Sequence, residues 1–182
     1  MHQTILIRMK RIFLIGYMGA GKTTVGKVLA ERLGLSFIDL DFYVEGRFHK
    51  TIPQLFAERG EAGFRELERR MLREVAEFED VLVSCGGGTP CFFDNMDFMN
   101  RAGQTVYLKV SVGELANRLE CCKTTRPVLE GRTGEALRTF IAESLSRREP
   151  FYEKASVVFD AEAMMTEQDV RQITDTLIEI LA

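Results

Sequence analysis

The stretch GYMGAGKTT sets Gly16, Gly21, Lys22 and Thr23 in the pattern G-x-x-x-x-G-K-[ST]. Glycines at this spacing let backbone N–H groups curl around phosphate oxygens, the lysine neutralises negative charge, and the threonine hydroxyl can ligate Mg2+. Gly19, Ala20, Gly21, Lys22, Thr23 and Thr24 are therefore the expected cradle for the phosphates of a nucleoside triphosphate. FIDLDF then offers two carboxylates, Asp39 and Asp41, which point the same way from an extended backbone. One can support Mg2+ or its water shell while the other accepts a proton from an incoming hydroxyl. The same pair would also suit an ordinary acidic helix cap. A third stretch, VLVSCGGGTP, ends an apolar run with Gly86, Gly87 and Gly88. Glycine there costs roughly 0.5–1 kcal/mol relative to alanine, so a close approach to the backbone is the expected reason.

What is missing narrows the chemistry. A GTPase-type switch would carry D-x-x-G and N-K-x-D, and neither string occurs. An acidic residue ending the third apolar strand would complete a Walker-B pair, yet VLVSC ends in Ser84 and Cys85. The metal's carboxylate must then come from FIDLD.

The elements that position these residues follow from hydrophobic periodicity. RIFLIG, SFIDLD, VLVSCG, TVYLKV and ASVVFDA read as five strands alternating with longer helical patterns, which predicts a parallel α/β sheet. In such a sheet the strand ends share one edge, which brings the two aspartates beside the phosphate loop. Val25, Leu29 and Leu33 mark a helix over 22–33 stopped by Gly34; Leu67, Met71, Val75 and Phe78 mark one over 53–78; Val170, Ile173, Leu177 and Ile180 mark the last, over 166–181. LECCKTTRPVLEGRTG reads as a long loop. The 182 residues are expected to form one domain. Their composition, 46% hydrophobic and 28% charged with net charge -3, gives no pull toward nucleic acid or membrane. Neither a signal peptide nor a spanning segment is evident, so a cytoplasmic location is expected; a monomer is the working expectation for its oligomeric state. Cys85, Cys91, Cys121 and Cys122 form no C-x-x-C pair and His2 and His49 lie far from them, which predicts reduced thiols.

The pieces GYMGAGKTTVGKVLAERL, FIDLD, FRELE, GGG, RPVL and RREPFYEKAS, in that order from Gly16 to Ser156, resemble the shikimate kinase family. Those enzymes move the γ-phosphoryl of ATP to the 3-hydroxyl of shikimate, a step toward chorismate and the aromatic amino acids. The resemblance implies a three-layer α/β/α fold with a five-stranded parallel sheet, of the P-loop, nucleoside-monophosphate-kinase-like type, with Mg2+ as cofactor. It implies a substrate-binding helical region around 42–78 and a mobile lid around 120–133. By the same resemblance Asp41 binds the acceptor hydroxyl and is the base, while Asp39 and Thr23 serve the metal, Asp39 through water. Arg65 and Arg148 match the arginines that hold the substrate carboxylate, Gly86 to Gly88 form a wall of that site, Arg126 reaches the phosphates from the lid, and Arg118 stacks on adenine. Lys22, Asp41 and Arg126 would be the catalytic set.

Chemistry agrees with that assignment, because a carboxylate bearing ring hydroxyls needs a fixed guanidinium and close hydrogen-bonding groups. Glu68, three residues after Arg65, can fix it, although the pair alone reads as a surface ion pair. Arg147 beside Arg148 leaves two candidates, and Pro150 is expected to end the helix just after them. The stretch LECC departs from the polar, glycine-bearing family pattern, Val128 replaces a leucine, and residues 1 to 8 precede the usual start, with Met9 an alternative initiator. A kinase of another hydroxy acid such as gluconate is the nearest rival; a P-loop module that only binds ATP is the other. Arg65, the glycines and Arg148 favour shikimate over the first, and the intact Lys22, Thr23, Asp39, Asp41 and Arg126 disfavour the second. No cysteine is needed as a nucleophile, and Cys85 reads as a small buried residue.

Overall fold

The five apolar runs form one parallel sheet in the order β2-β3-β1-β4-β5, from β1 (Arg11–Ile15), β2 (Ser36–Asp39), β3 (Val81–Ser84), β4 (Gln104–Lys109) and β5 (Val157–Asp160). The structure, a computed structural model, describes residues 10–121, 129, 131–164 and 166–182. Ile12 to Ile15 and Val81 to Val83 are wholly buried. Strands covered on both faces need no polar side, which is why they read as unbroken apolar runs.

Seven helices among the described residues connect and cover the strands: α1 (Lys22–Leu33), α2 (Leu40–Phe48), α3 (Ile52–Ala76), α4 (Asn95–Ala102), α5 (Val112–Cys121), α6 (Gly134–Tyr152) and α7 (Glu167–Leu181). The result is the expected three-layer α/β/α arrangement. The chain runs from β1 outward to β2 and β3, then returns to place β4 on the other side of β1. That reversal of strand order opens a crevice at the carboxyl ends of the central strands, where ligands bind in open α/β sheets.

Local signals set most boundaries. Gly34 caps α1 in the left-handed region and donates its N–H to Ala30 and Glu31 carbonyls. Thr51 and Gln54 form a reciprocal capping box at the start of α3, and Thr166 with Asp169 does the same for α7. Three expectations shift at helix ends. Phe78 lies beyond α3 and is 40% exposed, because α3 stops at Ala76. On α7 the buried stripe closes on Leu181 rather than Ile180: four residues past Leu177 stays on the apolar face, and three turns to its margin. The loop expected from Leu119 begins later, since α5 runs through Cys121.

Candidate active site

The phosphate loop joins the end of β1 to the start of α1, as its sequence requires. Gly16, Gly19 and Gly21 have φ of 145°, 83° and 92°, a region where an L side chain is strained. Those angles let the loop turn tightly into α1, with the Ala20 N–H donating to the Tyr17 carbonyl at 3.1 Å. Lys22 Nζ donates to the Gly16 and Tyr17 carbonyls at 2.8 and 2.9 Å, which holds its charge over the loop.

Asp39 and Asp41 both line the cleft above this loop, but not as neighbours on an extended strand. β2 ends at Asp39, and Asp41 lies in the first turn of α2. Asp39 is the helix N-cap: its Oδ1 accepts from the Asp41 and Phe42 N–H groups at 3.1 and 3.4 Å. Its other oxygen accepts from the Thr23 hydroxyl at 3.0 Å. A cap and a metal-side carboxylate are thus compatible roles for one residue, because a carboxylate has two oxygens. Parallel register puts Asp39 opposite Ser84, so the aspartate stands level with the start of the glycine stretch.

Each glycine of the triplet faces a different charged side chain. A β-carbon at Gly86 would come 2.9 Å from Asp41 Oδ1, one at Gly87 3.2 Å from Arg148 Nη1, and one at Gly88 2.6 to 2.9 Å from the Arg65 guanidinium. None of the three has a left-handed φ. Space, not dihedral freedom, is what requires glycine here. Arg65 is held from several sides: Nη1 donates to Glu68 at 2.9 Å, and the guanidinium lies 4.2 Å from the Phe92 ring centroid. The Glu68 side chain is buried, so the pair is not the exposed i,i+3 bridge that its spacing alone suggests.

Arg148, rather than the exposed Arg147, faces the glycines, with its guanidinium 5.4 Å from the Tyr17 ring centroid. The helix does not end before Pro150; α6 continues to Tyr152. Tyr152 is fully buried and its hydroxyl donates to the Gly87 carbonyl, which anchors the final turn against the glycine wall.

Arg118 makes contacts that its sequence context did not suggest. Nη2 donates to the Ala161 and Glu162 carbonyls at 2.9 and 2.8 Å, Nε to Glu114 at 2.7 Å, and Nη1 to Gly19 at 3.5 Å. It therefore ties the segment after β5 to the phosphate loop. Met164 in that segment also lies against Gly21, where a β-carbon would collide with it. The only hint in the sequence was the small Gly21 itself; nothing near Met164 marked it as a cleft residue. Arg126 and most of the expected lid lie outside the described residues. Met9 and the residues before it lie outside them too. The Gly134 N–H donates to Glu120 at 2.5 Å, so the two flanks of the lid segment are joined.

The phosphate loop, Thr23, Asp39, Asp41, Gly86 and Gly87 line one cleft of about 540 Å³ with Arg118 and Met164, while Arg65 and Arg148 stand against the glycines outside that lining. Burial in the cleft, then the charges of Glu68 and Asp39, push the Asp41 carboxyl up to about 6, against the pull of Lys22. The side chain stays open to the cleft, so it is surrounded by protein without being covered. Burial drives the Cys85 thiol far up and the Cys91 thiol to about 11, so neither is a thiolate near neutral pH. Cys85, Cys91 and Cys121 are free thiols. Among the described residues no cluster of three metal-ligating side chains occurs, and no helix is long and apolar enough to cross a membrane.

A phosphate loop, two aspartates and a glycine wall backed by arginines, gathered at the carboxyl edge of a parallel α/β sheet, define a P-loop kinase of small molecules. The shikimate kinase family model matches residues 18–178, and the chain belongs to that family. It is 72% identical over 173 residues to a shikimate kinase of Parabacteroides distasonis, covering 95% of this chain and all of that one. Its fold matches a crystal structure of shikimate kinase from Bacteroides thetaiotaomicron with TM-score 0.93 at 54% identity, covering 96% and 99% of the two chains. A shikimate kinase from Acinetobacter baumannii, solved in complex with shikimate, matches with TM-score 0.81 at 32% identity over 94% and 92%.

Proposed function

We infer that this chain transfers the γ-phosphoryl group of ATP to the 3-hydroxyl of shikimate, giving shikimate 3-phosphate and ADP on the route to aromatic amino acids. The observation that carries this reading is the glycine triplet, whose members face Asp41, Arg148 and Arg65 directly beside the phosphate loop, a β-carbon at Gly87 standing 3.6 and 3.7 Å from Gly16 and Met18. Two fixed guanidiniums suit a carboxylate, and a raised carboxyl suits a hydroxyl proton. Arg65 Nη1 donates to Glu68 at 2.9 Å and Nη2 lies 3.7 Å from Glu61, while Nε is buried without a hydrogen-bond partner.

In this reading Arg65 and Arg148 orient the acceptor ring, and Asp41 accepts the 3-hydroxyl proton as its oxygen bonds to the γ-phosphorus. The bond from that phosphorus to the β,γ-bridging oxygen breaks, and ADP carries the electron pair away. The amides of Gly19, Ala20, Gly21, Lys22, Thr23 and Thr24, with the Lys22 ammonium, hold the phosphates, and Arg126 adds charge from the lid. Arg118 supports the adenine end through the segment it grips. The Thr23 hydroxyl and Asp39 carboxylate, 3.0 Å apart, are hard oxygen donors of the kind Mg2+ takes beside phosphates, and the site needs no all-protein cage. Bound there, Mg2+ would supply charge neutralisation to the phosphates. We also propose one domain acting as a monomer in the cytoplasm, without nucleic-acid or membrane partners.

ADP release in a coupled assay, with and without shikimate and with gluconate as control acceptor, tests the reading. Shikimate-dependent release is expected. Release that ignores shikimate, or prefers gluconate, contradicts it.

A further inference from the structure

We propose that Thr89 is a positioning residue that aims Arg65 at the acceptor carboxylate by holding the far side of Glu68. This rests on the acceptor reading above. The Glu68 carboxylate is buried and split between two partners: Oε2 accepts from Arg65 Nη1 at 2.9 Å, and Oε1 accepts from the Thr89 hydroxyl at 2.6 Å. Thr89 is itself fully buried and sits directly after the glycine wall. Its N–H donates to the Gly86 carbonyl at 3.1 Å, and its own carbonyl accepts from the buried Asn95 side chain at 2.9 Å. Thr89 therefore has little freedom, and it passes that rigidity to Glu68.

The consequence for Arg65 is geometric. Glu68 lies one helical turn from Arg65 on α3, and a carboxylate held only at one oxygen can rotate about its own side-chain bonds. Fixing both oxygens sets the plane of the carboxylate and so the direction of the guanidinium it accepts from. Arg65 has almost no slack, because its guanidinium already fills the space where a Gly88 side chain would be. A tilt moves it either into the wall or away from the acceptor. Removing the Thr89 hydroxyl also leaves Glu68 Oε1 buried without a partner, which favours such a tilt.

The test is steady-state kinetics of Thr89→Val, Thr89→Ala and Thr89→Ser in the full chain, each alone and in an Arg65→Ala background. Loss of the hydroxyl is expected to raise KM for shikimate about tenfold, the order of one hydrogen bond to a charged group, with KM for ATP unchanged and kcat within about twofold. Thr89→Ser should restore the wild-type KM. In the Arg65→Ala background the Val and Ala changes should add almost nothing, because their effect runs through the missing arginine. An unchanged shikimate KM in a folded Val or Ala variant overturns the proposal, as does an equal rise in both KM values or a full additional loss without Arg65. If Val and Ala both fail to fold while Ser folds, the hydroxyl serves folding and the positioning role is overturned. A wild-type enzyme inactive toward shikimate would instead refute the acceptor reading itself.

Discussion

Asp41 meets two opposed demands. Its carboxyl, pushed from 3.8 to about 6 by burial and by Glu68 and Asp39, is a stronger proton acceptor than a free aspartate. The same shift makes the ionised group a burden on the fold. Because the folded value lies above the unfolded one, the burden is absent below about 3.8, grows as pH rises through the window, and is full above about 6. Asp41→Asn is therefore expected to lower kcat by roughly 10²–10⁴-fold, yet to raise the melting temperature at pH 8 and not at pH 4. Wild-type turnover should fall as pH drops through about 6, where Asp41, the proposed base, becomes protonated. Kinetics and thermal melts across that range check both signs; a variant less stable than wild type at pH 8 would contradict the shift. The two aspartates were legible as a pair in FIDLDF, but their division of labour was not. It depends on Asp39 turning one oxygen to the α2 amides and the other to Thr23.

The glycine stretch after β3 works as an element, a wall thin enough for three side chains from elsewhere to press against it. Gly88→Ala is expected to push the Arg65 guanidinium aside, since the new carbon would stand 2.6 to 2.9 Å from its atoms. The variant should raise KM for shikimate by about tenfold or more, the order of a lost charge-assisted hydrogen bond, and leave nucleotide affinity nearly unchanged. Titration of each ligand separately checks this; equal weakening of both would argue that the change had spread to the phosphate loop. Sequence alone marked the triplet as costly and expected a backbone approach by substrate. The fold adds that protein side chains also require the space. At α6 the proline rule misled for a similar reason. Pro150 falls in the last turn, and buried Tyr152 bonded to Gly87 holds the helix two residues further.

At the scale of the molecule, the proposed nucleotide and acceptor sites draw on different elements of one fold. Shikimate at about 100 times its Kd is expected to stabilise the protein by about 2.7 kcal/mol, a rise in melting temperature of roughly 5–10 °C for a domain of this size. Arg65→Ala should remove most of that rise and keep the one given by MgADP. A melting temperature independent of protein concentration would agree with a monomer. Thermal-shift measurements decide each point, and loss of both ligand responses in Arg65→Ala would contradict the separation of sites. The amino-acid sequence by itself determined the phosphate loop, the parallel strands, the Gly34 stop of α1 and the family, because each rests on short local patterns and their order along the chain. Only the tertiary structure decided that Arg148 rather than Arg147 faces the wall, that Arg118 grips the segment after β5, and that Thr89 shares Glu68 with Arg65. Those contacts join residues 21 to 61 positions apart, counted from Glu68–Thr89 to Gly87–Arg148. No local pattern encodes them, since packing at the sheet edge chooses which side chains meet.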